Sequence, residues 1–140
     1  MSRRNTGRVA TVLRLLAGVA TACGGPAPTF DGALRASASG ELRGSVTSAP
    51  APPPVGQMHT WTLHLETAAG DPLEGAAISV DGDMPAHGHG LPTQPRVTTY
   101  LGDGDYVVEG MQFQMGGEWF VQFEISAPGV EDSIRFDFTL

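Results

Sequence analysis

The stretch "DMPAHGHGLPTQP" (Asp83–Pro95) gathers one methionine, two of the four histidines, three prolines and two glycines. Met84, His87 and His89 fall within six residues. In an extended chain, residues two apart face the same side, about 6.6 Å apart at Cα. Imidazoles at 87 and 89 can therefore converge on one ion. Gly88 and Gly90 allow the backbone angles that would aim them, and Pro85 and Pro92 stiffen the loop, which lowers the entropy cost of holding ligands in place. Met115, at the end of the following strand, offers a second thioether, with Met111 a weaker candidate. Thioether with imidazole is the ligand set that copper prefers, Cu(I) above all, whereas zinc favours cysteine or carboxylate with histidine. Asp81 and Asp83 keep zinc open.

A plainer reading of the same residues stands beside this one. His-x-His is a common pattern, and two histidines can lock a loop by donating to backbone carbonyls. Met111 and Met115 lie on an apolar strand face, where methionine is ordinarily packing material. Met84, before a proline, caps the core in this reading. His59 and His64 read as a strand-end and a solvent-facing residue.

Other chemistry is scarce. No serine stands in a G-x-S-x-G elbow, and neither a phosphate loop nor a dinucleotide fingerprint occurs. Carboxylates are plentiful, but no pair is singled out. These motifs point to a binding protein without catalytic residues.

The elements around the loop read with a period of two. In "HTWTLHLET", Trp61, Leu63 and Leu65 share one face. "AGDPLEG" is a turn, and "AAISVDGD" follows as a strand with Ile78 and Val80 inward. After the loop come "RVTTYL", the turn "GDGD" and "YVVEGMQFQM". In this last strand the inward parity switches between Val108 and Met111, so Gly110 is expected to hold a β-bulge. "EWFVQFEIS" and "IRFDFTL" complete the set, with Trp119, Val121, Phe123 and Ile125, then Ile134, Phe136, Phe138 and Leu140 inward. Six or seven short antiparallel strands without a helical pattern predict an all-β, immunoglobulin-like β-sandwich. The cysteine pair of antibody domains is absent.

The N-terminus has a different character. Arg3, Arg4 and Arg8 precede an apolar run that ends in Ala20-Thr21-Ala22, the order of a secretory signal. Uninterrupted only from Leu15 to Ala22, the run is shorter than the roughly 20 residues a membrane-spanning helix needs. Residues 1–22 are thus expected to direct export. Cys23, the only cysteine, follows at once. "VATAC" resembles a bacterial lipobox, which would make Cys23 a lipidation site and the membrane a partner; ordinary cleavage after Ala22, leaving a free thiol, is the other reading. Residues 23–57, rich in Gly, Pro, Ala and Ser and including "APAPPP", read as a tether, although part of "ELRGSVTSA" has the makings of an edge strand. Residues 58–140 then read as the folded domain.

Removal of residues 1–22 leaves four arginines against fifteen acids, a net charge of −11 at pH 7, with no lysine. Such a chain lacks the clustered basic residues that nucleic acid requires. Its acidity favours solubility and mildly attracts cations.

From about Met58 to Leu140, and most specifically in "MPAHGHGLPTQPRV" and "GDGDYVVEGMQFQM", the sequence resembles the YtkA-like family, related to FixH-like domains, of small exported bacterial β-sandwich proteins. The resemblance implies an envelope location near metal-handling or haem-type redox systems, a role in copper trafficking, and Met84, His87, His89 and Met115 as the ligand positions. One departure stands out. The family pattern leads us to expect histidine or asparagine near position 114, and this chain has Gln114, which thins the ligand set. The expectation is a non-catalytic, lipid-anchored envelope protein that binds copper. Its alternative is a metal-free module that docks on a partner envelope protein, with a purely structural His-Gly-His loop.

Overall fold

The structure, a computed structural model, describes residues 27–140. The expected export signal and Cys23 lie outside the described residues. The described residues form nine strands, the longer ones largely by apolar alternation: β1 (Arg35–Ala36), β2 (Leu42–Ala49), β3 (His59–Thr67), β4 (Ala77–Met84), β5 (His89–Gly90), β6 (Arg96–Gly102), β7 (Asp105–Met111), β8 (Glu118–Ala127) and β9 (Val130–Thr139). All the pairings between named strands are antiparallel, in the order β1-β2-β3-β7-β6-β4-β8-β9 with β5 on β4. β6 and β4 share a single pair, Ser79 with Arg96. The sheet divides there into two leaves that fold face to face.

The strand faces follow the alternation. Trp61, Leu63 and Leu65 from one leaf, and Val121, Phe123 and Phe136 from the other, are fully buried. Edge-on and tilted aromatic contacts join the leaves: Trp61 to Phe138 at 5.8 Å, Phe113 to Trp119 at 5.1 Å and Phe113 to Phe138 at 5.4 Å between ring centroids. Ile78 and Val80 lie half-buried against the core edge. The Tyr106 hydroxyl donates to the Leu73 carbonyl (2.7 Å) and accepts from the Ala76 N–H (3.3 Å). It thereby ties the β3–β4 connection to the core and steadies the strand that leads to Met84.

The bulge expected at Gly110 is present. Pairing steps from Trp61–Val108 to His59–Met111, so β7 carries one residue more than β3. Gly110 has φ +82°, a left-handed geometry that glycine adopts without a Cβ clash. The extra residue returns Met111 and then Phe113 to the inner face, both fully buried. β7 ends at Met111, four residues before Met115.

Two expectations need correction. Residues 58–140 hold seven strands, β3 to β9, but the folded unit begins well before Met58, within the stretch read as a tether. β2 pairs with β3 along all eight of its residues, and Leu42 and Val46 belong to the core. Further upstream, Phe30 packs edge-on against Trp61 (5.3 Å) and Phe138 (5.4 Å). Thr29 exchanges two backbone hydrogen bonds with Thr139, 2.8 and 2.9 Å long, which closes the open side of the sandwich. β2 was hard to recognise because two of its inward positions are small, Gly44 and Ser48. A Cβ on Gly44 would come within 2.7 Å of Ile134 Cδ1 and 3.1 Å of the His64 carbonyl oxygen, so the position is tight. Second, Asp83–Pro95 is not wholly irregular, since Asp83 and Met84 finish β4 and His89 and Gly90 form β5.

Candidate metal centre

β4, a tight turn and β5 make a hairpin. Its tip is closed by two N–H groups that donate to one carbonyl, His87 (3.0 Å) and Gly88 (2.9 Å) to Met84 O. Gly88 sits at φ +64°, and the strands re-pair as Met84 with His89 and Asp83 with Gly90. The loop therefore has a defined backbone, as its prolines and glycines suggested. At its tip, His87 and His89 are both exposed, with ring centroids 5.7 Å apart and planes tilted by 33°. No hydrogen bond among the described residues engages the His87 ring.

A second segment, residues 112–117, crosses beside this tip. It brings Gln114 to β5, where the side-chain nitrogen lies 3.0 Å from His89 Nδ1 and 3.2 Å from the Gly90 carbonyl oxygen. Next in the chain, Met115 is exposed and its carbonyl accepts from Trp119 Nε1 (3.0 Å). The turn is also tied to the C-terminus by reciprocal Gly117–Leu140 backbone bonds of 2.7 and 3.0 Å. Gly116 is confined by a backbone neighbour, and Gly117 has φ +131°, a region that favours glycine. A Cβ on Gly116 would meet Leu140 O at 2.8 Å, and one on Gly117 would meet Met84 Cε at 2.7 Å.

Of the four expected ligand positions, His87 and His89 stand side by side at the surface, and Met115 is exposed on the adjoining segment. Met84 is different. Its side chain is fully buried, with the methyl group under Gly117, where it supports the hairpin from below as the plainer reading had it. Met111 is likewise core. The carboxylates that kept zinc open turn back to the main chain: Asp81 accepts from Gly82 N (2.8 Å) and Asp83 from Met84 N (2.7 Å). Among the described residues, no three His, Cys, Asp or Glu side chains gather to hold an ion. A cation at this tip would thus complete its shell with thioether, main-chain or water ligands.

The other two histidines have separate surroundings. His59 is buried. Its Nδ1 donates to the Gln57 carbonyl (3.1 Å), its ring packs 5.4 Å from that of Phe113, and Nε2 has no partner. Burial holds its pKa below the ordinary histidine value, with the Gln57 bond opposing. His64, read as solvent-facing, lies between two carboxylates, with Nδ1 2.7 Å from Asp105 and Nε2 3.4 Å from Glu66. Glu66 also pairs with Arg43. Burial alone would lower the His64 pKa, but the two hydrogen bonds and charges outweigh it and raise the value. The sequence offered one signal for this cluster, a histidine and a glutamate two apart on the outer face of β3; the contributions of Asp105 and Arg43 depend on strand register. Gln114 was noted only as a departure from a family pattern, and its partner His89 is 25 residues away.

A recess of about 720 Å³ lies at the other end of β4, lined by serines with Glu124, Glu131 and Asp132. Its lining contains no histidine.

Comparison with known proteins places this hairpin in a family. A model of YtkA-like proteins matches residues 38–124. The chain belongs to the YtkA-like family. The match begins ahead of β2, as the packing of that strand requires, and it contains the whole candidate centre. A comparison with curated protein sequences finds no significant match. Among solved structures, the YtkA-like domain is similar to the crystal structure of "as isolated" FetP from uropathogenic Escherichia coli strain F11, expressed recombinantly in the E. coli periplasm. The TM-score is 0.51 at 12% identity, over 83% of this chain and 97% of that one. Similarity at that identity concerns the fold alone.

Proposed function

We propose that this YtkA-like protein acts in the cell envelope, where its hairpin tip binds a soft cation, Cu(I), and passes it on by ligand exchange. The observation that carries this reading is the pair of exposed imidazoles, 5.7 Å apart on a fixed turn, with the Met115 thioether on the adjoining segment. Neutral imidazole with thioether suits Cu(I), and the acidic domain draws cations towards its surface. In this reading Cys23 carries a lipid, the membrane is the anchor, and residues 24–28 are the short connection to the sandwich. The tip has no nucleophile with an adjacent base, so the role is binding without catalysis.

The competing reading is a metal-free docking module whose His-Gly-His tip is recognition surface. The Gln114 contacts favour it, since they engage His89 inside the protein. An anaerobic Cu(I) titration against a competing chelator separates the two. It should use a soluble chain from Gly24 to Leu140, which keeps every described residue. One-to-one, submicromolar binding that His87→Ala/His89→Ala removes is the result expected for an ion carrier. Binding no stronger than that of the double variant would leave the docking module.

A further inference from the structure

We infer that Gln114 fixes the tautomer of His89 and so withholds its one lone pair from the surface, making it a positioning residue for the ion-binding tip. The first part needs only hydrogen-bond geometry; its consequence for affinity rests on the Cu(I) reading proposed above.

The orientation of the Gln114 amide follows from its two neighbours. The atom 3.2 Å from the Gly90 carbonyl oxygen must be the NH₂ group, because an amide oxygen there would set two acceptors against each other. That same nitrogen lies 3.0 Å from His89 Nδ1. An NH₂ group has two hydrogens and can serve both contacts. His89 Nδ1 is thus an acceptor, and in the neutral ring the proton belongs on Nε2. A metal ion requires a lone pair, and the only one on neutral His89 points at Gln114. A cation must displace the amide at Nδ1 or drive the proton across to free Nε2. His87 has no such partner and is the open entry ligand. His89 is gated.

This arrangement is the reverse of the usual one. A metal-ligating histidine ordinarily donates its second N–H to a carboxylate or carbonyl, which fixes the tautomer that leaves the other nitrogen free for the ion. Here the neighbouring side chain donates to the ring. A ligand held in competition with an internal donor binds less tightly and is released more readily, which suits transfer over storage.

The test combines ring-nitrogen NMR with ion binding on the Gly24–Leu140 chain. In ¹⁵N-histidine-labelled protein at about pH 8.5, about two units above the ordinary imidazole pKa, His89 should carry its proton on Nε2. Gln114→Ala removes the donor and should shift His89 towards a mixture of tautomers. Gln114→Glu supplies an acceptor, so Nδ1 should become the protonated nitrogen. Cu(I) affinity should rise several-fold in Gln114→Ala and about ten-fold in Gln114→Glu, the scale of outer-shell effects on metal sites. A wild-type His89 protonated on Nδ1, or a tautomer ratio that ignores both substitutions, would overturn the inference. So would variants that shift the tautomer yet bind Cu(I) less well than wild type. If neither wild type nor variant binds Cu(I), the ion-binding reading fails, and the nitrogen spectra alone decide whether Gln114 sets the tautomer.

Discussion

His64 and the His87–His89 pair occupy the same domain under opposite terms. His64 stands on the outer face of β3, in the middle of a rigid leaf, with a carboxylate at each ring nitrogen. Both of its hydrogen-bonding positions are spent on the fold. The tip histidines, His87 in a four-residue turn and His89 at the start of β5, are exposed, with one ring unengaged and the other held by an amide. A histidine whose nitrogens are satisfied by charged partners contributes to stability. One with an available or contestable lone pair can meet a ligand. The contrast extends to the backbones beneath them. Paired strands position the frame, whereas the tip depends on one carbonyl, Met84 O, and on a buried side chain pressed against glycine.

The most damaging way to break the frame without touching the tip is to begin the chain at Met58. That deletion removes Phe30, Leu42 and Val46 from the core and leaves β3 as a bare edge. Burying each of these side chains stabilises by about 1.5–3 kcal/mol, and a domain of this size has only about 5–15 kcal/mol in total. The truncated chain should therefore lose its cooperative unfolding transition in urea, although every proposed ligand remains. A cooperative transition close to that of the longer chain would show that β2 is dispensable.

Met84 joins the two regions, and substitutions there sharpen the comparison. Met84→Ala empties a fully buried site and should cost about 2–5 kcal/mol, seen as a lower urea midpoint. Met84→Leu keeps the volume and should cost less than about 1.5 kcal/mol, while removing the sulfur. If Met84 is support alone, Met84→Leu binds Cu(I) as wild type does and Met115→Leu binds more weakly. Weakened binding in Met84→Leu with stability preserved would instead make this buried sulfur a ligand that the turn at Gly116–Gly117 uncovers.

Legibility in the sequence followed how local each feature is. Strands β3, β7, β8 and β9 announce themselves because large apolar residues alternate with polar ones. Even the Gly110 bulge shows as a change of parity. β2 is hidden because Gly44 and Ser48 occupy two of its inward positions, so the apolar alternation lacks terms. For the candidate centre, the sequence supplied the two imidazoles and the exposed thioether, since they sit in or next to a punctuated loop. It left Met84 between ligand and core cap, and the choice follows from the paired Gly116–Gly117 turn packing over it. It could not show that Gln114 reaches His89, because that contact requires the 112–117 segment to fold beside β5. Partners fixed by tertiary register leave no local signature, and both histidine neighbourhoods depend on such partners.

The smallest expected effect tests the His64 side of the contrast. Burial opposes its charge, but Asp105 and Glu66 prevail and the folded pKa lies above the ordinary value. Proton linkage then fixes the sign. The group's contribution is fully present below its unfolded pKa of about 6.5, and it is lost as pH rises through the raised folded value. The ring is about one-third exposed, so water screens the pairs and the contribution should be about 1 kcal/mol or less. Urea midpoints should thus fall slightly as pH rises from about 6.5 through the raised folded value in wild type, and His64→Ala should remove that slope. Asp105→Asn should reduce it, because the 2.7 Å contact supplies the stronger hydrogen bond. The double substitution at His87 and His89 should leave the slope intact. At the acid end the sign reverses. Burial would raise the Asp132 pKa, but hydrogen bonds from Ser37, Ser39 and Ser133 outweigh it and hold the carboxyl below its ordinary value. That contribution disappears only as pH falls through the lowered pKa. A falling slope above about pH 6.5 that survives His64→Ala would assign it to some other group and dissolve the distinction between a structural histidine and an available one.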